Sequence, residues 1–146
     1  MGLKGEVDVL SYARQKVAVR PAAAYGIAAN TIFTISGGPV MLMALFGHVI
    51  TAIVAAPTAT FTVSGVAVDS GAVVVTSGVN TFIVCPLDDA GIAAVVPNVA
   101  ATNILAADPL VAVPGNIVVT IAVAPTGGTI AWYCVYYSLG EVAIIT

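Results

Sequence analysis

The sequence predicts an all-β protein: a single jelly-roll-like or Greek-key β-sandwich of about eight to ten strands behind an extended N-terminal arm. Three observations predict it. Short runs alternate apolar residues with Thr and Ser, the period-two pattern of a strand with one buried face. Gly and Pro separate those runs at short, regular intervals, with Pro39, Pro57, Pro86, Pro97, Pro109, Pro114 and Pro125 near their boundaries. Finally, 60% of the 146 residues are hydrophobic and only 8% are charged, enough apolar mass for a core and the reverse of a disordered composition.

The elements follow in chain order. Residues 1–30 carry six of the eleven charged side chains, Lys4, Glu6, Asp8, Arg14, Lys16 and Arg20, and show no strong alternation. Pro21 turns Arg20 away from helical backbone. This stretch reads as an arm that reaches onto a neighbour, and residues 31–146 read as the sandwich. Residues 31–36 (TIFTIS) alternate and run into the Gly37-Gly38-Pro39 turn. Residues 40–53 continue as one or two strands with a break near Gly47. In residues 58–68, Phe61 and Val63 face one way while Thr60, Thr62 and Ser64 face the other. Asp69-Ser70-Gly71 reads as a hairpin turn into residues 72–76, and Ser77-Gly78 as a turn into residues 81–85. Residues 86–109 are the least β-like and read as loops with one short helix. Residues 110–113, 117–124, 129–139 and 142–145 complete the strands. In residues 130–137, Ile130, Trp132, Cys134 and Tyr136 share one face, and Ala131, Tyr133, Val135 and Tyr137 the other. Trp132 is expected in the core and at least one tyrosine at an interface.

Charge distribution says most about function. All four basic residues, Lys4, Arg14, Lys16 and Arg20, precede residue 21, and the remaining body carries only Asp69, Asp88, Asp89, Asp108, Glu141 and His48. A compact monomer of this mass exposes about 6,900 Å², which so few charges cannot solvate. A weakly apolar, nearly uncharged exterior is that of an obligate interface, so the chain reads as an assembly component. Nucleic acid is not expected as a partner, because phosphate binding runs on Lys and Arg.

Chemistry has few candidates. His48 is the only imidazole and stands in an apolar run without a neighbouring carboxylate, so it reads as a core or interface histidine rather than a base. Asp88 and Asp89 match no calcium-loop spacing. Cys85 and Cys134 match no zinc or redox spacing and read as two buried thiols, with a disulfide between strands as the alternative. The expectation is therefore no enzyme, no cofactor and no metal. Residues 39–56 have the minimum length of a membrane span. The bracketing prolines and the central Gly47-His48 favour a strand buried on both faces. No secretory signal pattern opens the chain, since Glu6 and Asp8 follow Lys4.

Two passages carry a resemblance. Residues 30–47 (NTIFTISGGPVMLMALFG) are similar to an N-terminal β-hairpin of small head proteins of tailed bacteriophages, and residues 128–140, with Trp132, to their last strand. Such proteins resemble capsid decoration (cement) proteins. The resemblance implies a virion structural protein on the capsid exterior, assembled in the host cytoplasm. It would associate with itself, as an expected trimer, and with the major capsid protein. The alternatives are another virion subunit (tail, spike or major shell) and a membrane-inserted or fimbrial surface protein. The residues expected to meet partners are Lys4, Tyr12, Arg14, Lys16 and Arg20, with Tyr25, Tyr133 and Tyr137.

Overall fold

The structure, a computed structural model, describes residues 14–55, 57–68, 73–74, 78–85, 87, 93–96, 109–123 and 125–146. The strands are β1 (Gln15–Ala23), β2 (Ala28–Ser36), β3 (Val40–Thr51), β4 (Thr58–Val63), β5 (Val66–Ala67), β6 (Val73–Val74), β7 (Phe82–Cys85), β8 (Ala93–Val96), β9 (Leu110–Ala112), β10 (Gly115–Ile121), β11 (Thr129–Ser138) and β12 (Ile144–Ile145). They form two six-stranded antiparallel sheets. Sheet I runs β1-β11-β3-β7-β8, with β9 also on β3; sheet II runs β12-β2-β10-β4-β5, with β6 also on β4. Because β11 occupies the whole of one β3 edge, β7 and β9 lie end to end along the other. The fold is an all-β sandwich, as the alternation predicts.

The inner faces make the core. In β4, Ala59, Phe61 and Val63 are buried while Thr58, Thr60 and Thr62 look outward. In β11, Ile130, Trp132, Cys134 and Tyr136 point inward, and Trp132 is 1% exposed. Its indole takes the edges of Phe61 from sheet II at 5.4 Å and of Tyr25 at 6.3 Å between ring centroids. Such edge-to-face contacts join the two sheets through one aromatic cluster. The chain end is tied in by side chains: Ser138 Oγ donates to the Ala143 carbonyl at 2.6 Å, and Ile145 N donates to Tyr136 Oη at 3.2 Å.

Several expectations need correction. Residues 15–30 are not an arm: β1 is the edge strand of sheet I, and Ala28–Ser36 is β2. The charges of β1 hide its alternation, because Lys16 and Arg20 are on the side that turns toward the sandwich seam, while Val17 and Val19 face out. Residues 1–13 lie outside the described residues. Gly47 does not break β3, which runs on to Thr51. A Cβ there would lie 2.6 Å from Ile130 Cγ2 and 2.9 Å from Trp132 Cζ3, so the glycine is the seat of the indole. The run 58–68 is a hairpin rather than one strand. Val63 pairs with Val66 around Ser64 and Gly65, whose φ angles of 51° and 81° are those of a two-residue turn with both centres left-handed. Within residues 86–109, Ala93–Val96 is a strand, an element not expected there; residues 97–108, which the expected short helix could also occupy, lie outside the described residues. The expected turn at 69–71 lies outside the described residues. Residues 40–51 of the candidate membrane span form β3, and no helix among the described residues is long and apolar enough to cross a membrane.

Candidate assembly interface

The two sheets present unlike outer faces. On sheet II the outward positions include Thr31 and Thr34 of β2, Thr58, Thr60 and Thr62 of β4, and Asn116, Val118 and Thr120 of β10, with Ile144 of β12 at the edge. Thr34 Oγ1 donates to Asn116 Oδ1 at 3.3 Å, and Thr60 stands opposite Thr120. A carpet of hydroxyls and an amide is an ordinary hydrated sheet surface.

Sheet I is different. Register places Val17 opposite Val135, Val19 opposite Tyr133 and Gln15 opposite Tyr137. On the other side of β11, Phe46 stands opposite Tyr133 and Met41 opposite Tyr137; beyond them Phe82 of β7 stands opposite His48. The rings form a continuous row. Tyr133 stacks on Phe46 with centroids 5.2 Å apart and an interplanar angle of 11°. The Phe82 edge meets Phe46 at 6.1 Å, and His48 stacks on Phe82 at 5.0 Å. Beneath this row Ala44, Ala131, Val135 and Val84 are buried although they point away from the core. Val17 and Val19, at 57% and 56% exposed, border it. No charged side chain stands among these outward positions. An apolar, aromatic, flat face is the composition of the centre of a protein–protein interface.

His48 belongs to this face. Its Nε2 lies 3.3 Å from Asn80 Oδ1, and its ring rests on Phe82. Among the described residues no three of His, Cys, Asp and Glu come together as metal ligands; Asp69, Asp88, Asp89 and Asp108 lie outside those residues. A cleft of about 410 Å³ between the β4–β5 hairpin and β9 is walled by Val63, Val66, Leu87, Leu110 and Val113, with Ser64 as its polar side chain. Ser64 Oγ donates to the Val113 carbonyl at 2.6 Å, and among the described residues that line the cleft there is no acid or base.

The cysteines face the core on either side of Leu45, each directly opposite it. Two strand spacings put their Cα atoms roughly 9–10 Å apart, too far for a disulfide without moving the backbone, and both remain thiols. Burial, and then the neighbouring Cys85, push the Cys134 thiol up to about 12, so it stays protonated and unreactive at ordinary pH.

Of the side chains expected to meet partners, the structure brings Tyr133 and Tyr137 to the outer face of sheet I, both half-buried. Lys16 and Arg20 are turned to internal acceptors: Lys16 Nζ donates to Ser138 Oγ at 2.7 Å, and an Arg20 guanidinium N–H to the Ile32 carbonyl at 3.2 Å. Arg14 is exposed beside β1. Lys4 and Tyr12 lie outside the described residues. Tyr25 is a correction. It is buried against Trp132, only 9% exposed, so its ring serves the core rather than an open surface. Burial pushes its phenol up, partly offset by the nearby Arg20 charge. Its hydroxyl and the indole N–H nevertheless fall short of hydrogen-bond geometry with any described residue.

Sequence reasoning missed Phe46, Phe82, Val17 and Val19. Alternation along residues 40–48 could have put Phe46 with His48. Only the pairing register, however, brings Phe82 and Tyr133 to them. No known protein family, no curated protein and no solved structure matches the chain.

Proposed function

We propose that the chain is a structural virion protein, a capsid decoration (cement) protein that binds the outside of the major capsid lattice of a phage head. One observation carries the reading. A body without a lysine or arginine after Arg20 presents a whole outer sheet face that is uncharged and aromatic. Such a face is at home where it is permanently covered, as it is between the subunits of an assembly. Its mechanism is mechanical: each Å² of apolar surface removed from water stabilises the seam by roughly 25 cal/mol before association costs are subtracted. No turnover and no bound cofactor are required. The resemblance of residues 30–47 and 128–140 to small head proteins points the same way.

Co-sedimentation with purified shells of a tailed-phage major capsid protein from the same source as this chain tests the proposal. The chain should pellet with the shells at a fixed stoichiometry and raise the temperature at which they rupture. A chain left wholly in the supernatant refutes the role. Cutting the chain after residue 13 keeps β1 intact, whereas a longer truncation removes an edge strand of sheet I. If the first residues dock on the shell, the shorter cut abolishes pelleting and leaves self-association unchanged.

A further inference from the structure

We infer that the outer face of sheet I is closed by the same face of a second copy of this chain, the two related by a two-fold axis. The inference rests on the reading of the chain as an assembly component, and it names the partner and the symmetry.

Area comes first. The face spans four strands, β1, β11, β3 and β7, about 4.8 Å apart, and β11 runs ten residues at about 3.4 Å each. The footprint is therefore roughly 19 by 34 Å, about 650 Å² on each copy and about 1,300 Å² for the pair, within the range of specific stable interfaces. Two such faces can stack as sheets do in a sandwich, about 10 Å apart and close to aligned.

Composition then selects the partner. Interfaces between copies of one chain are the more apolar kind, and the outward positions of β1, β11, β3 and β7 carry Val17, Val19, Tyr133, Met41, Phe46 and Phe82 without a charge. A partner recruited later would need a surface that stays soluble while it waits, and it would be steered by charge. This face offers neither. A second copy is present from synthesis at equal concentration. Val17 and Val19 are the decisive pair. Lys16 and Arg20 lie on the other side of the strand, bonded to Ser138 Oγ and the Ile32 carbonyl, and leave the outward side to the two valines, 57% and 56% exposed.

Symmetry follows from the number of patches. A single self-complementary patch generates a closed pair, whereas a ring of three needs two different patches on each chain. Among the described residues the stacked rings form one patch, on sheet I, and the opposite sheet face is threonine-rich; of the other exposed apolar side chains, Val66, Val111 and Val113 are aliphatic and line the β5–β9 cleft. The trimer implied by the resemblance is accordingly replaced by a pair at this face.

The test is the native mass of the full-length protein by light scattering after size exclusion, in detergent-free buffer. The expected mass is twice the 14.6 kDa chain. Replacing Val17→Lys together with Val19→Lys should halve it, and Thr60→Lys with Thr62→Lys on the other face should leave it doubled. A wild-type mass of one or three chains overturns the inference. So does a Val17/Val19 variant that stays paired. A second measurement does not depend on disrupting the face. A cysteine placed by Val19→Cys should react with a maleimide several-fold more slowly in native protein than one placed by Thr62→Cys, although position 19 is the more open in the single chain. Equal rates, or a faster reaction at 19, overturn the pair. Shell binding is read separately, so a chain that pairs without pelleting refutes the decoration role alone, and one that pellets unpaired refutes only the pair.

Discussion

Gly47→Ala tests the core directly, because it adds one methyl group where the sheets are joined. The new Cβ would stand 2.6 Å from Ile130 Cγ2 and 2.9 Å from Trp132 Cζ3. Carbon atoms rest about 3.5–4.0 Å apart, so both side chains must retreat by roughly an ångström. Neither has room. Trp132 is held by the edges of Phe61 and Tyr25, and Ile130 is buried in the same cluster. Overpacking of this kind costs about 2–3 kcal/mol. The lower backbone entropy of alanine in the unfolded chain returns about 0.5–1 kcal/mol. The net loss is about 2 kcal/mol, which for a domain of this size lowers Tm by about 4–8 °C. Thermal and urea unfolding followed by far-UV circular dichroism read it, with the urea midpoint falling at unchanged m-value. Adding Ile130→Ala removes the nearer clash. The double variant should then be less destabilised than the sum of the singles by about 1 kcal/mol. If Gly47→Ala is as stable as the parent, the indole does not rest on Gly47 and the account of β3 is wrong.

Phe61→Ala removes the sheet II half of the same cluster and should cost about 3–5 kcal/mol, read as a sharp rise in protease sensitivity. Ser138→Ala breaks the chain of bonds from Lys16 Nζ through Ser138 Oγ to the Ala143 carbonyl. It should cost about 1–2 kcal/mol and speed amide exchange at Ile145 and Thr146 while leaving β10 unchanged. Cys134 gives a pH dependence. The native thiol keeps its proton up to about 12, whereas the unfolded one loses it near its ordinary value of 9.0. The contribution to stability is thus fully present below pH 9 and is lost as pH rises toward 12, at no more than about 1.4 kcal/mol per pH unit. Cys134→Ala, weaker at neutral pH, should lack that part of the slope, and equal slopes in parent and variant would refute the assignment. Tyr25, also raised by burial, acts in the same direction.

The parts of the fold legible in the sequence were those where a strand has one wet face and one dry one. Thr58–Val63 shows this plainly, and so does the split of residues 130–137 that sends Trp132 inward and Tyr133 outward. β1 was illegible because its pattern is inverted. Charges at 16 and 20 and a proline at 21 look like a solvated arm until register shows them turned to the seam. Gly47 looked like a break because its purpose lies in a residue 85 positions later in the chain. The Ser64-Gly65 turn was hidden inside a run that alternates correctly on both sides of it. The ring row on sheet I is a product of long-range pairing, and no local signal joins Phe82 to Tyr133.

The outer edge of β1 has a consequence of its own. A sheet that ends in an open strand can recruit further strands without limit, the route by which apolar chains form fibres. Pro21 supplies no N–H to such a ladder, and the register slips between Arg20 and Ala23, so any strand added alongside would lose its hydrogen bonds midway. Growth along the sheet is therefore cut short. A contact through the face, in contrast, uses itself up when two copies meet. If the face pairs as inferred, this chain offers its neighbours a surface that can be satisfied once, beside a β1 edge whose ladder Pro21 interrupts.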